Sequence, residues 1–261
     1  MKILFIGDIV GKPGRIAVRN LLPRIVARDD IDIVIANCEN AAGGRGVTRD
    51  VLEELYKNDI DVLTSGNHIW DKKGVLEFID DYETLLRPAN YPAGSPGRGS
   101  VSLKDASGKA FGVINLEGRV FMKPLDCPFR VAEREIEGLA SAVNIIIVDM
   151  HAEATSEKQA MGWFLDGKVS AVVGTHTHVQ TADERILPNG TAYITDVGMT
   201  GSMDSILGVK KDLALERFLT LMPNRFEVAK KDVWLQGVVM DCDIEKGTCR
   251  SIERVSERLE K

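Results

Sequence analysis

The sequence predicts an α/β fold of two packed sheets with helices outside. Three observations carry this. Short apolar runs that read as buried strands recur along the first two thirds of the chain, stretches with helical spacing separate several of them, and after about residue 175 the pattern changes to runs around turn residues, the mark of hairpins. With 261 residues and 44% hydrophobic content the chain can bury a full core.

The first run, 3–6, ends directly in Gly7 and Asp8, so it reads as a strand and is too short for a signal peptide or a membrane span. Helical spacing over 13–27 leads to a strand at 31–36, and a helix over 49–57 leads to a strand at 61–64. The apolar run 111–115, a helix over 131–141, the run 144–149, a helix over 157–165 and the run 169–173 continue the alternation. Beyond it, 181–187, 191–194 and 233–243 surround Pro-Asn-Gly and Glu-Lys-Gly turns, which suggests a partly antiparallel sheet. One helix, over 210–221 and ended by Pro223, interrupts them. No repeat, low-complexity stretch or linker divides the chain, so 1–261 is expected to be a single domain. Two glycine-rich segments, 91–100 and 198–208, read as loops that are either functional or plain connections.

A net charge of -6 and a pI near 5.4 argue against a protein that binds a DNA or RNA backbone, which requires clustered Lys and Arg. A small anion remains compatible, because bound cations invert the local field. Cys38, Cys127, Cys242 and Cys249 form no metal-binding or framework spacing, so reduced thiols in a cytoplasmic protein are expected, although Cys242 and Cys249 flank a turn.

The chemistry gathers at strand ends. All four histidines, His68, His151, His176 and His178, lie in short segments shaped like metal-binding loops. Asp8 follows the first strand, Glu39 and Asn40 the second, Asn67 and His68 the third, His151 the run 144–149, and His176 and His178 the run 169–173. Ligands in open α/β sheets bind outside the carboxyl ends of strands, so these ends are expected to converge. An extended Thr175–His178 segment would point His176 and His178 the same way. Cys38, next to Glu39, is expected to face the core instead. Imidazoles, carboxylates and side-chain amides without thiolate suit Mn, Fe, Co, Ni or Zn. Seven candidates (Asp8, Glu39, Asn40, Asn67, His151, His176 and His178) are too many for one tetrahedral ion and fit two ions, about 3.5 to 4 Å apart, bridged by a carboxylate.

The segments Gly7-Asp8, ENAAGG (39–44), GNH (66–68), MHAEATSEK (150–158) and GTHTH (174–178) resemble the calcineurin-like metallophosphoesterases, and most closely their bacterial YmdB-like branch of di-metal phosphodiesterases. GRVFM (118–122) and TDVGMTG (195–201) extend the resemblance over essentially the whole chain. GNH and GTHTH mark the superfamily, whereas ENAAGG and HAEATSEK are specific to the branch. Two departures from the wider pattern, Asp8-Ile9-Val10 in place of Asp-x-His and Glu39 in place of the bridging aspartate, are typical of that branch.

The resemblance implies the calcineurin-like metallophosphoesterase fold, two mixed sheets flanked by helices in four αββα layers. Carried over by position, Asp8, Glu39, Asn40 and His178 would hold one metal, and Glu39, Asn67, His151 and His176 the other. Iron is the metal the resemblance favours, with manganese and zinc compatible. Two cations sharing a bridging water would present hydroxide near neutral pH and neutralise a phosphate placed across them. His68, beside a ligand but not itself one, is the expected general acid for the leaving oxygen.

Asp71 and Asp149 are candidate carboxylates for orienting an imidazole, and Arg45 a candidate contact for substrate phosphate. The implied substrates are small phosphodiesters, above all 2′,3′-cyclic nucleotide monophosphates, with a homo-oligomer as a family-level expectation and no membrane or stable nucleic-acid partner. Rival readings are a phosphomonoesterase or nucleotidase on the same site, a metal-dependent nucleotide-sensing protein, and a metal-stabilised structural domain, the last disfavoured because structural zinc sites are often cysteine-rich.

Overall fold

A computed structural model describes residues 1–260; Lys261, the last residue of the expected domain, lies outside the described residues. The chain opens with β1 (Lys2–Ile6), which passes through Gly7 into the short β2 (Asp8–Ile9) and helix α1 (Gly11–Asp29). β3 (Ile33–Asn37), α2 (Arg49–Tyr56) and β4 (Val62–Thr64) follow, then two short 3₁₀ turns at Lys73–Glu77 and Ile79–Asp81. β5 (Ser100–Lys104), β6 (Ala110–Glu117), α3 (Pro128–Leu139), β7 (Ile145–His151), α4 (Thr155–Leu165) and β8 (Ala171–Thr175) form the middle of the chain. The last part contains β9 (Arg185–Ile186), β10 (Ala192–Ile194), β11 (Met199–Ser202), α5 (Lys211–Thr220), β12 (Val233–Asp243) and β13 (Thr248–Arg258).

The strands make two mixed sheets. One runs β2-β11-β12-β1-β3-β4 with β13 paired to β12, and the other runs β5-β6-β7-β8-β10-β9. Alternation along each strand explains the layering. Ile3, Phe5, Ile33 and Ile35 of the first sheet meet Val113, Ile145, Ile147, Val173 and Ile194 of the second in a buried layer between the sheets. Leu4, Ile6, Val34 and Ala36, on the opposite face, pack under Val18, Leu22 and Ile25 of α1 and Leu52 and Leu55 of α2. Ile114, Ile146, Val148 and Val172 do the same under Val131 and Ala132 of α3 and Met161 and Leu165 of α4. The result is the expected αββα stack. Strands covered on both faces read as unbroken apolar runs, which is why they were visible in the sequence.

The differences have local causes. Helix α3 starts at Pro128, earlier than its apolar periodicity indicates, because proline is preorganised for the first helical position. Segment 198–208, expected as a loop, contains β11, which pairs with β2 and β12; at its start the Gly198 carbonyl oxygen would lie 2.1 Å from a Cβ on Gly7, so glycine at position 7 lets the backbones approach. β13 has no sequence expectation: its buried Cys249, Ile252 and Val255 recur every three residues instead of every two.

The expectation of four reduced thiols is also corrected. The β12–β13 register sets Cys242 opposite Cys249, with Cα atoms 3.9 Å apart, and the two form a disulfide, while Cys38 and Cys127 are free. Cysteine usage therefore does not argue for a reducing compartment. Among the described residues, no helix is long and apolar enough to cross a membrane.

Candidate metal centre

The expected convergence takes place across both sheets. β1, β3 and β4 of one sheet and β7 and β8 of the other end at the same edge of the stack, where Glu39, Asn40, His68, Glu153, His176 and His178 line a cleft of about 540 Å³. Asp8, Glu39 and His151 are fully buried, and Asn40 nearly so.

Two clusters share Glu39. In the first, His151 Nε2 lies 3.2 Å from Glu39 Oε1, 3.1 Å from Asn67 Oδ1 and 3.1 Å from His176 Nδ1. In the second, His178 Nε2 lies 3.6 Å from Asp8 Oδ1 and 3.2 Å from Asn40 Nδ2, and that amide is 3.3 Å from Glu39 Oε1. Glu39, His151 and His176 offer ligand atoms all within 4.8 Å of one another.

The donor set fits metal ions. Two imidazole nitrogens 3.1 Å apart beside a carboxylate and an amide oxygen are acceptors facing acceptors, an arrangement that needs a proton or a cation between them. The Asn40 amide presently donates towards Asp8, Glu39 and His178, and a half-turn puts its oxygen in the same place.

Surrounding groups select the nitrogen each histidine presents. Thr175 Oγ1 donates to Asp149 Oδ1 at 2.7 Å and faces His151 Nδ1 at 2.8 Å, leaving Nε2 for the centre. His178 Nδ1 donates to the Leu207 carbonyl at 3.2 Å, and His176 Nε2 faces Glu153 at 3.1 Å, leaving His178 Nε2 and His176 Nδ1. Thr64 Oγ1 donates to the other Asp149 oxygen, Oδ2, at 2.5 Å, and Asp149 acts on His151 through the Thr175 hydroxyl. Glu39 is held by the His68 backbone N–H at 3.0 Å.

Burial opposes charge on all of these groups, and their neighbours decide the outcome. Burial favours neutral Asp8 and Glu39, but the adjacent histidines reverse this and hold both carboxyls below their usual range. Burial likewise disfavours the His151 cation, yet Glu39, Asp8 and Asp149 raise its pKa to about 9. His176, half-buried and next to that cation, falls to about 3. Burial raises Asp149 to about 6.

One expectation about shape fails although its residues arrive. His176 and His178 have φ of 91° and 64°, so Thr175–His178 is a tight turn and not an extended segment. Asp8 takes the His176 N–H at 3.1 Å and Asp196 takes the Thr177 N–H at 3.1 Å, which curls the backbone and sends the two imidazoles to separate clusters. Cys38 packs in the core as expected, and burial raises its thiol pKa. His68 is half-buried on the cleft wall, with Nδ1 2.9 Å from Asp71 Oδ2. That contact leaves Nε2 as the nitrogen free to meet a ligand. Arg45 lines the same cleft.

The sequence pattern of the family described as YmdB-like protein matches residues 4–255. The chain belongs to the YmdB-like family. It is 52% identical to a Bacillus subtilis protein named 2′,3′-cyclic-nucleotide 2′-phosphodiesterase, over 98% of this chain and 96% of the other. A crystal structure of a hypothetical protein from Thermus thermophilus is similar with a TM-score of 0.92 at 43% identity, covering 99% of both chains. A Mycoplasma pneumoniae structure described as a novel phosphatase also gives 0.92, at 34% identity, covering 99% of this chain and 93% of that one.

Several residues of the YmdB-like site have no sequence expectation. Glu153 stands two positions after His151 inside a quoted motif, so its signal was present; its contact with His176 is tertiary. Lys123 donates to the Asn67 carbonyl at 3.2 Å, and Glu117, its carboxyl pKa raised by burial, sits in register with His151. Lys72, Arg225 and Phe226 complete the cleft wall from segments that carry no local motif.

Proposed function

We propose that this chain is a metal-dependent phosphodiesterase acting on small nucleotides, with 2′,3′-cyclic nucleotide monophosphates as substrates and His68 as general acid. The observation that carries the reading is the shared position of Glu39 between two histidine clusters, with His68 on the wall of the same cleft. The activity named for the Bacillus subtilis relative supports the substrate class. Asp8, Glu39, Asn40 and His178 would hold one metal ion and Glu39, Asn67, His151 and His176 the other, with iron proposed by resemblance and manganese and zinc compatible with the donors. When bound, two such ions supply a hydroxide nucleophile near neutral pH and neutralise phosphate charge.

The residues of the chain do the rest. Arg45 reaches the phosphate from the loop after β3, Asp71 holds the His68 ring through Nδ1, and Nε2 gives its proton to the departing ribose oxygen. A protein that only senses nucleotides would not need the His68–Asp71 pair. Because the site draws on both sheets, we read the chain as one functional domain.

The test combines metal and substrate. Protein purified without added metal should contain first-row ions by elemental analysis and hydrolyse a 2′,3′-cyclic nucleotide, and bis-nitrophenyl phosphate faster than nitrophenyl phosphate. Asp8→Ala or His176→Ala should lower the metal content. A clear preference for the monoester would overturn the diesterase reading, and an unchanged metal ratio in both variants would overturn the ligand set.

A further inference from the structure

The motif HAEATSEK is specific to this branch of the family and TDVGMTG extends the resemblance, yet most of their residues touch neither cluster. The fold brings one residue of each together. Lys158, in the first turn of α4, and Asp196, just after β10, form an ion pair with Nζ and Oδ2 2.8 Å apart, both essentially inaccessible to solvent. Their common partner is Thr177. Lys158 donates to Thr177 Oγ1 at 2.9 Å, while the Thr177 hydroxyl and N–H both donate to Asp196 Oδ2, at 2.5 and 3.1 Å. Asp196 is itself held by the Gly198 N–H at 2.8 Å.

Thr177 stands between His176 and His178, whose left-handed φ values are unfavourable for residues with a Cβ and need outside support. The approach is tight: a Cβ on Gly174 would lie 1.8 Å from the Thr195 carbonyl oxygen and 2.9 Å from Lys158 Cδ. Helix α4 is also tied down by the neighbouring Glu157, which accepts the Arg119 and Val120 N–H groups of the GRVFM loop at 3.0 and 3.2 Å. A buried ion pair is a poor source of stability, since apolar residues of similar volume do as well, so its use here is better sought in geometry.

We propose that Lys158 and Asp196 are positioning residues that act through Thr177, clamping the turn so that His176 and His178 are aimed at different metal positions. The pair touches no proposed ligand atom itself. It sets how tightly the folded protein holds its metals, and this inference rests on the two-metal reading above.

The test uses the full chain loaded with metal, with Thr177→Val, Thr177→Ser and Lys158→Met compared by chelator competition, by melting temperature, and by kcat and KM at saturating metal. Thr177→Val removes the hydroxyl and leaves the ion pair intact. It should weaken metal retention about 10- to 100-fold, the usual effect of losing a group that orients ligands, and lower kcat more than it raises KM. Thr177→Ser should restore retention to within about threefold of wild type, and Lys158→Met should lose at least as much as Thr177→Val. If Lys158→Met does not fold, the Val and Ser pair decides. A clamp that served only stability would lower the melting temperature and leave metal affinity unchanged in Thr177→Val, and that result overturns the proposal. Wild-type protein that holds no metal overturns the two-metal reading, and this inference with it.

Discussion

Replacing His68 with asparagine removes one ring nitrogen while the structure keeps its neighbours in place. The backbone N–H of residue 68, not its side chain, holds Glu39 Oε2 at 3.0 Å, so the shared carboxylate stays oriented. The Asn amide can take over the 2.9 Å contact that Nδ1 makes with Asp71, and metal content should be unchanged. What disappears is Nε2, the proposed proton donor. General acid catalysis contributes about 10²- to 10⁴-fold, or about 3 to 5 kcal/mol of barrier. The loss should depend on the leaving group. A ribose alkoxide needs the proton and should show the full loss in kcat, whereas nitrophenolate leaves readily as an anion and bis-nitrophenyl phosphate should lose less than about tenfold. The assay is steady-state hydrolysis of both substrates by protein of matched metal content. Equal losses on the two substrates would refute the proton-donor role and make His68 a residue that positions substrate.

Metal affinity should rise with pH, because His151, with a pKa raised to about 9, and His178, also raised, hold protons in the metal-free protein that binding must expel. For the His151 proton the gain should approach tenfold per pH unit below about pH 9, and the His178 proton should steepen it further, measured by chelator competition; a flat profile would show that neither histidine is displaced from a proton. Gly66→Ala should damage the centre from outside the ligand set: the new Cβ would fall 2.1 Å from His151 Cδ2 and 2.2 Å from Nε2. A destabilisation of about 1–3 kcal/mol and a reduced metal content are expected, and a variant with wild-type metal content would show that the ring yields without cost.

Much of the fold was legible because its signals are local. Ile3–Ile6 and Ile145–Val148 are apolar because both faces of their strands are covered, and that coverage leaves its trace residue by residue. β13 was not legible, since its buried positions follow the strand's contacts with β12 and beyond instead of a period of two. β11 was hidden for a related reason: its sequence, Met-Thr-Gly-Ser, becomes a strand because β2 and β12 lie on either side of it.

The same division runs through the site. Asp8, Glu39, Asn40, Asn67, His151, His176 and His178 could be named from sequence because a polar residue placed directly after a buried strand is a local pattern that topology carries to one edge of a sheet. The sequence by itself thus determined which side chains are offered and at which strand ends. The resemblance already implied that Glu39 serves both histidine groups; only the tertiary structure decided that the strand ends come from two sheets and which nitrogen each ring presents. It also decided that Asp196 and Lys158 meet at Thr177, that Glu153 and Arg225 reach the cleft, and that Cys242 meets Cys249. The physical reason is distance along the chain. Lys158 and Asp196, or Glu39 and His151, are far apart in sequence, and no local preference encodes a contact of about 3 Å that exists only once two sheets have packed through a common core.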